Sequence, residues 1–236
     1  MHIINPTDKI TSVTPSSENT SYLATNIQDN FRTNPWKSNT ASAATLTLAV
    51  STGSAAIGLS YMNSATVNVL VETAGPVTVH DQLYSIDSAN PNLFVNYGTV
   101  ASACTISLSY SDPGSVAPYC GIVRCSSLYT FLSPDYGLSE GMKDYSITKR
   151  YNSGALYYKS RTKARTFSGK FDVVRDSTFY TFMYTIIKEQ GQNPMFWKIT
   201  DLSNQDWAIF AECEMPKGSH SMFSHSNISF SLLEAI

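Results

Sequence analysis

Between residues 40 and 73 polar and apolar side chains alternate with a period of two, in "TASAATLTLAV" (40–50), "AAIGLSYM" (55–62) and "ATVNVLVE" (65–72). Ser-Thr-Gly and Asn-Ser breaks separate the runs. Strict alternation puts one face of a strand into a core and the other into solvent, so three such runs in close succession predict an antiparallel sandwich. Residues 75–100 hold two more short strands about an Asn-Pro turn, and "ACTISLSY" (103–110) and "YCGIVRCSSLYTFL" (119–132) complete the set. About seven or eight strands with no convincing helix is the number of a jelly roll.

The alternation stops at "SPDYGLSEGMKDYSIT" (133–148), where turn formers dominate. Behind it "ALYYKSRTKARTFSGKFDVV" (155–174) reads as one long strand or a hairpin. In "RDSTFYTFMYTIIKEQGQNP" (175–194), Phe179, Phe182, Met183, Ile186 and Ile187 recur at three- and four-residue spacing, which predicts one amphipathic helix. Asp176 or Ser177 can cap its start, Gly191 can end it in the left-handed conformation, and Pro194 prevents its resumption. "PMFWKIT" (194–200), "DWAIFAECEM" (206–215) and "MFSHSNISFSLLEAI" (222–236) return to strand patterns. The predicted fold is mainly β (α+β): an N-terminal arm (1–17), a jelly-roll β-sandwich (18–134) and a C-terminal α+β sandwich with one packed helix (135–236).

Charge changes the picture little. Of 236 residues 14% are charged and 42% hydrophobic, which suits a β-rich folded chain and not a disordered one. Residues 1–135 carry four basic side chains (Lys9, Arg32, Lys37, Arg124) against eight acidic ones, and the other basic residues all follow. Neither half has the one-sided excess of a nucleic-acid binder. The segment "MHIINPTDKITSV" has neither a basic nor an apolar leader region, and no uncharged apolar run approaches a membrane span, so synthesis in a cytosol without membrane insertion is expected. Cys104, Cys120, Cys125 and Cys213 then read as reduced structural thiols. Cys120 and Cys125 lack the second pair or the histidines of a zinc site, and five residues apart on a strand they point to opposite faces.

Catalytic patterns are missing. There is no Gly-x-Ser-x-Gly elbow, no HExxH and no phosphate-cradling glycine loop, and His220 and His225 lack flanking ligands. Glu212 and Glu214 alternate with Ala211, Cys213 and Met215, which reads as a solvated strand face. A non-enzyme without metal or cofactor is expected.

Three polar groupings remain. Lys159, Arg161, Lys163 and Arg165 alternate with small residues, so on one strand all four cations share a face, turned to solvent or to a partner. Tyr84, Asn90, Asn92 and Tyr97 place aromatics and amides near a turn, as a glycan site would need. In "ATNIQDNFRTNPWKS" (24–38), Asp29, Arg32 and Trp36 suit a ligand, but a simpler account is a staple. There Ile27 and Trp36 plug the start of the sandwich while Asp29 accepts backbone N–H groups that hold a turn.

The order of these features resembles tail-tip proteins of long-tailed bacteriophages, in which a discoidin-like or galactose-binding-like jelly roll precedes a tail-type α+β domain. The resemblance rests on Ala24, Asn26, Ile27, Asp29, Thr33 and Trp36, then on "LTLAV", "AAIGLSYMNSATVNVLV" and "CGIVRCSSLYTF". Further on it rests on "DYS" at Asp144 to Ser146, "TFSGKFDVV", the helix, "GQNPMFW" and "SFSLLEA". It implies a tail-tube-like second domain and a distal-tail or baseplate structural protein of the virion. Such proteins form a homo-oligomeric ring, a hexamer in the family, between the tail tube protein, the tail hub and the tape-measure protein. The ring would be assembled in the host cytoplasm, with DNA only in transit through its lumen. Lys159 to Arg165 would then meet a neighbouring subunit or line that lumen. The alternative is a carbohydrate-binding adhesin module that holds a host surface glycan.

Overall fold

A computed structural model describes residues 1–31, 33–111, 116–134, 137–174, 180–191, 193–201, 207–219 and 225–235. Along the chain run β1 (His2–Ile4), β2 (Ile10–Pro15), a 3-10 turn (Ala24–Gln28), β3 (Trp36–Lys37), β4 (Ala44–Val50), β5 (Ser54–Met62) and β6 (Thr66–Thr73). Next come β7 (Thr78–Ser85), β8 (Asn92–Val100), β9 (Cys104–Tyr110), β10 (Tyr119–Ser126) and β11 (Leu128–Thr130). The remainder is β12 (Ser139–Asp144), β13 (Ile147–Arg150), β14 (Leu156–Lys159), β15 (Lys163–Val174), helix α1, β16 (Met195–Lys198), β17 (Ala208–Ser219) and β18 (His225–Glu234). Two compact units divide the chain, Met1–Phe131 with Met195–Phe210 and Leu132–Pro194 with Ala211–Ile236.

The first unit is the sandwich that the alternation predicts. A five-stranded antiparallel sheet, in the order β2-β4-β9-β6-β7, and a four-stranded one, β3-β10-β5-β8, close on a single apolar cluster. Leu46, Leu48, Val67, Val69, Val71, Ile106 and Leu108 enter it from one sheet and Ile57, Leu59, Leu93, Val95 and Val123 from the other. Each such side chain, fully buried, stabilises the fold by about 1.5–3 kcal/mol before conformational entropy is set against it.

The N-terminal residues do not form a separate arm. β2 pairs with β4 at the edge of the five-stranded sheet, and β1 lies antiparallel to β11 and to β16. Met1, Ile3, Ile4 and Ile10 are all buried, and hiding these apolar side chains is what ties the segment down.

Alternation breaks once, inside β5. Tyr61 has φ +60°, the left-handed value, and is the sole non-glycine with positive φ among the described residues. The reversal lets Leu59 and Met62, three apart, both enter the core. Opposite, Cys120 pairs with Met62 and Cys125 with Ile57. Both thiols therefore face the core, against the expectation of opposite faces: Val123 and Cys125 keep the alternation and Cys120, opposite Met62 beside the left-handed Tyr61, departs from it. All four cysteines are free and buried. Burial pushes the thiols of Cys120, Cys125 and Cys213 up to about 12. The native state thus keeps protons that the unfolded chain loses from about pH 9 upward. Stability is expected to fall above that pH by up to about 1.4 kcal/mol per pH unit for each shifted thiol, read as a falling urea midpoint.

On the outer side of the four-stranded sheet, Gly58 leaves room for the ring of Phe196 from β16, and a Cβ there would overlap it. Phe196 in turn packs on Phe210, with ring centroids 4.8 Å apart. Gly58→Val should therefore cost about 1–3 kcal/mol by overpacking, measured by denaturant unfolding, while the same change at Gly75, which has open space around it, should cost far less.

In the second unit β12, β15, β18 and the part of β17 from Ala211 onward pair antiparallel in that order. Phe167, Phe171, Phe230 and Leu232 are buried here. Phe171 meets Phe182 edge-on at 5.2 Å and Phe230 at 6.0 Å. Phe182 belongs to α1, whose described part winds with wide π spacing over Thr181–Ile187 and as α-helix over Lys188–Gln190. As the periodicity predicts, Phe182 and Ile186 are buried; Gly191 follows the last helical turn as expected, but at φ +58° and ψ −123°, outside the left-handed helical conformation. The expected caps Asp176 and Ser177, and Phe179, lie outside the described residues.

Candidate functional site: an exposed basic hairpin

β13 and β14 pair only with each other, in the register Ile147↔Lys159, Thr148↔Tyr158, Lys149↔Tyr157 and Arg150↔Leu156. The tip closes locally: Tyr151 N–H donates to Ala155 O at 2.9 Å, Gly154 N–H donates to Tyr151 O at 2.9 Å, and Gly154 takes the left-handed φ of +84°. At the root, Asp144 Oδ1 accepts the N–H of Ser146 at 2.8 Å. Hydrogen bonds from Ser146 hold the Asp144 carboxyl below the usual carboxylate range. Ser146 Oγ accepts from Arg161 N–H at 3.0 Å and from Tyr158 Oη at 3.3 Å. The Asp-x-Ser spacing of an Asx turn is thus the hinge pin of the hairpin.

Every residue from 148 to 163 is exposed. Among them are Tyr151, Leu156, Tyr157 and Tyr158, side chains that folded proteins usually cover. Residues 145–171 contain seven lysines and arginines and no acidic residue. An isolated two-stranded hairpin is marginally stable in water, and one that shows aromatic and cationic side chains on both faces has the composition of a protein-contact surface.

The four cations expected on one strand are divided. The chain leaves the strand at 160–162, so Lys159 ends β14 while Lys163 and Arg165 lie in β15. Lys163 lies 3.8 Å from Asp144, and Arg165 pairs with Glu140 at 2.9 Å with its guanidinium 4.9 Å over Phe167. The N–H of Arg165 also donates to Glu234 Oε2 at 3.0 Å. Carboxylates on β12 thus hold the back pair in the sheet, and Lys159 and Arg161 stay on the exposed surface with Lys149 and Arg150.

The four residues expected to contact glycan are turned inward. Tyr84 and Tyr97 are 8% exposed, Asn90 8% and Asn92 1%. Tyr97 Oη lies 3.1 Å from Cys125 Sγ, Tyr84 Oη donates to Gln82 Oε1 at 3.0 Å, and Asn92 accepts from Ser60 Oγ at 2.6 Å. Within the four, Asn92 Nδ2 donates to Asn90 Oδ1 at 2.9 Å, and none of the four is exposed.

In the opening segment Ile27 and Trp36 are fully buried, and Trp36 Nε1 donates to Ser17 O at 3.2 Å. Among the described residues the carboxylate accepting a backbone N–H at this turn is Glu18, from Ala24 at 2.9 Å, and not the exposed Asp29. Asp29 acts instead by charge on Arg124, whose Nη1 donates to Ile27 O at 3.1 Å and whose Nη2 donates to Asn30 Oδ1 at 2.9 Å. Burial lowers the Arg124 guanidinium from its ordinary value, and Asp8 and Asp29 oppose that. Sequence reading missed Arg124 because its partners lie 97 and 94 positions away.

Among the described residues no group of three His, Cys, Asp or Glu side chains is placed to hold a metal ion, and no helix is long and apolar enough to cross a membrane. No family model matches the chain, and no curated protein matches it. Solved structures of similar arrangement cover about half of it at low identity. One is the reduced XRCC1 complex with the DNA pol beta catalytic domain, 16% identical with a TM-score of 0.42, covering 51% of this chain and 97% of that one. Another is a His 62 mutant of the lectin binding domain of Lectinolysin complexed with Lewis b, 12% identical with a TM-score of 0.44, covering 52% and 98%. A third is chitosan-binding module 1 of a chitosanase/glucanase from Paenibacillus sp. IK-5, 12% identical with a TM-score of 0.41, covering 51% and 96%.

Proposed function

We propose that this chain is a non-catalytic structural protein of a bacteriophage tail tip, a ring subunit that joins the tail tube to the hub and receptor-binding apparatus. The observation that carries the reading is the hairpin arm: sixteen consecutive residues, 148 to 163, all exposed, rich in tyrosine and in positive charge. Such an arm gains stability by covering its faces on another chain. The second unit, which also exposes Tyr180 and Tyr184 on α1, supplies the arm. Light scattering of the purified chain, alone and with tail tube protein, tests this. A complex of several chains in either case supports it, and deletion of residues 147–159 should abolish that complex. A chain that stays monomeric in both, with a silent deletion, overturns it.

One observation favours a second reading, a carbohydrate-binding adhesin used in host attachment. Tyr61 and Tyr119, half-exposed, meet at a 43° tilt with ring centroids 5.2 Å apart, and Tyr119 pairs across the sheet with Lys37, whose Nζ sits 6.0 Å from the Tyr22 ring. Aromatic rings beside a cation suit a sugar face. Binding on a glycan array that is lost in Tyr119→Ala supports this reading, and no binding by the parent chain rejects it.

A further inference from the structure

The first unit carries a surface complementary to the hairpin. β7 is an edge strand of the five-stranded sheet, and along residues 78–83 no strand among the described residues lies beside it on the side away from β6. Edge strands are usually protected by lysine, proline or covering structure. β7 contains neither lysine nor proline; its pairing with β6 is regular from Ser85 to His80 and shifts register between His80 and Thr78, and it exposes Val79 at 40% and Leu83 at 63%, with Val77 just before it at 61%. By alternation Asp81 and Leu83 share the face turned away from the core, and Val79, at the register shift, is exposed beside them. Asp81 accepts from Asn68 Nδ2 at 3.0 Å, which holds its carboxylate on that face beside β6.

Charge separates the two surfaces sharply. Residues 38–123 contain no lysine or arginine, while Glu72, Asp81 and Asp87 lie on or next to the β6–β7 ribbon. The arm has the opposite character, with Lys149, Arg150, Lys159 and Arg161 exposed.

We propose that the β13–β14 arm of one copy adds to the open β7 edge of a second copy, extending its five-stranded sheet. Main-chain hydrogen bonds supply the attachment, as they do wherever a strand is added to a sheet edge. The face of the arm bearing Arg150, Leu156 and Tyr158 continues the face bearing Asp81 and Leu83, with the exposed Val79 at its end. Leu156 and Tyr158 then cover Val79 and Leu83, and Arg150 meets Asp81. Because the arm and the edge are different surfaces of one chain, the contact is head-to-tail and propagates to a ring or a filament. This pairing rests on the assembly reading above and names its partner.

The test uses two full-length variants. Arg150→Glu with Leu156→Asp spoils the arm, and Val79→Lys with Leu83→Lys spoils the edge. All four side chains are exposed, so circular dichroism and melting should be unchanged. The parent chain is expected to assemble beyond a dimer, and each variant alone to remain a monomer of 25.9 kDa, its apparent affinity weakened about a hundredfold or more. An equimolar mixture still holds one intact arm and one intact edge, so it should give a complex of two chains and no larger species. A parent that assembles while the mixture stays monomeric overturns this pairing but leaves the assembly reading standing. So does a parent that joins only tube protein. A variant that keeps the parent's mass also overturns the pairing.

Discussion

Trp36→Ala is expected to destabilise the jelly-roll unit by about 3–5 kcal/mol, the range for deleting a large buried aromatic side chain. Trp36 is fully buried, pairs with Cys120 at the margin of the four-stranded sheet, and lies 5.4 Å from the Tyr110 ring. Alanine removes the indole from both sheets at once, because Tyr110 belongs to β9 of the facing sheet. It also leaves Ser17 O without the Nε1 donor at 3.2 Å. Against a typical domain stability of about 5–15 kcal/mol, such a loss brings the unit close to unfolding at physiological temperature. Urea unfolding followed by circular dichroism reads the effect, and Trp36→Phe, which keeps a ring against Tyr110, should lose less. A change under about 1 kcal/mol would mean that the indole plugs nothing. If folding were intact and glycan binding lost, the segment would be a ligand site and not a staple.

What could be read from sequence is what is local. The alternation in "TASAATLTLAV" (40–50) and "ATVNVLVE" (65–72) places the end of β4 and both ends of β6 within a residue, with β4 starting four residues later at Ala44, since period two on a half-buried strand needs no partner to be recognised. The last strands follow for the same reason, as does the end of α1 at Gly191. Contacts across the chain escaped. Lys159 to Arg165 looked like one charged face because the pattern cannot show that the chain leaves the strand at 160–162, or that Asp144 and Glu140 wait on β12. Asn90 and Asn92 sit beside a turn signal, yet they are buried because Ser60 on β5 gives Asn92 a partner inside the sheet. The N-terminal residues read as an arm, whereas β1 finds its neighbours at β11 and β16, more than a hundred positions on. The hairpin arm is local, yet 133–148 reads as a turn-rich break and 155–174 as one strand or hairpin, so its Asp-x-Ser root and Gly154 tip were not recognised. Nor was its exposure, since exposure is a property of everything that fails to pack on it.

That exposure gives the core beneath the arm an effect beyond stability. Phe171→Ala should cost the second unit about 3–5 kcal/mol, because Phe171 is fully buried on β15 and holds Phe182 of α1 edge-on at 5.2 Å and Phe230 of β18 at 6.0 Å. Phe171 joins α1 to the sheet through three aromatic rings, so the cavity should loosen the helix and both strands together. Hydrogen exchange should show the loss as faster exchange in β15, β18 and α1, with β4, β6 and β9 protected as before. The arm's root depends on the same sheet, since Lys163 and Arg165 at the start of β15 pair with Asp144 and Glu140 on β12. Once β15 frays, Ser146 loses the geometry that receives Arg161 N–H and Tyr158 Oη, and the hairpin keeps only its own four paired positions. An isolated ribbon of that length does not persist in water. Phe171→Ala is therefore expected to reduce assembly as the arm deletion does, although residue 171 is buried and touches no partner. Assembly at the parent's level in a Phe171→Ala protein whose β15 amides exchange rapidly would show that the arm works without its root.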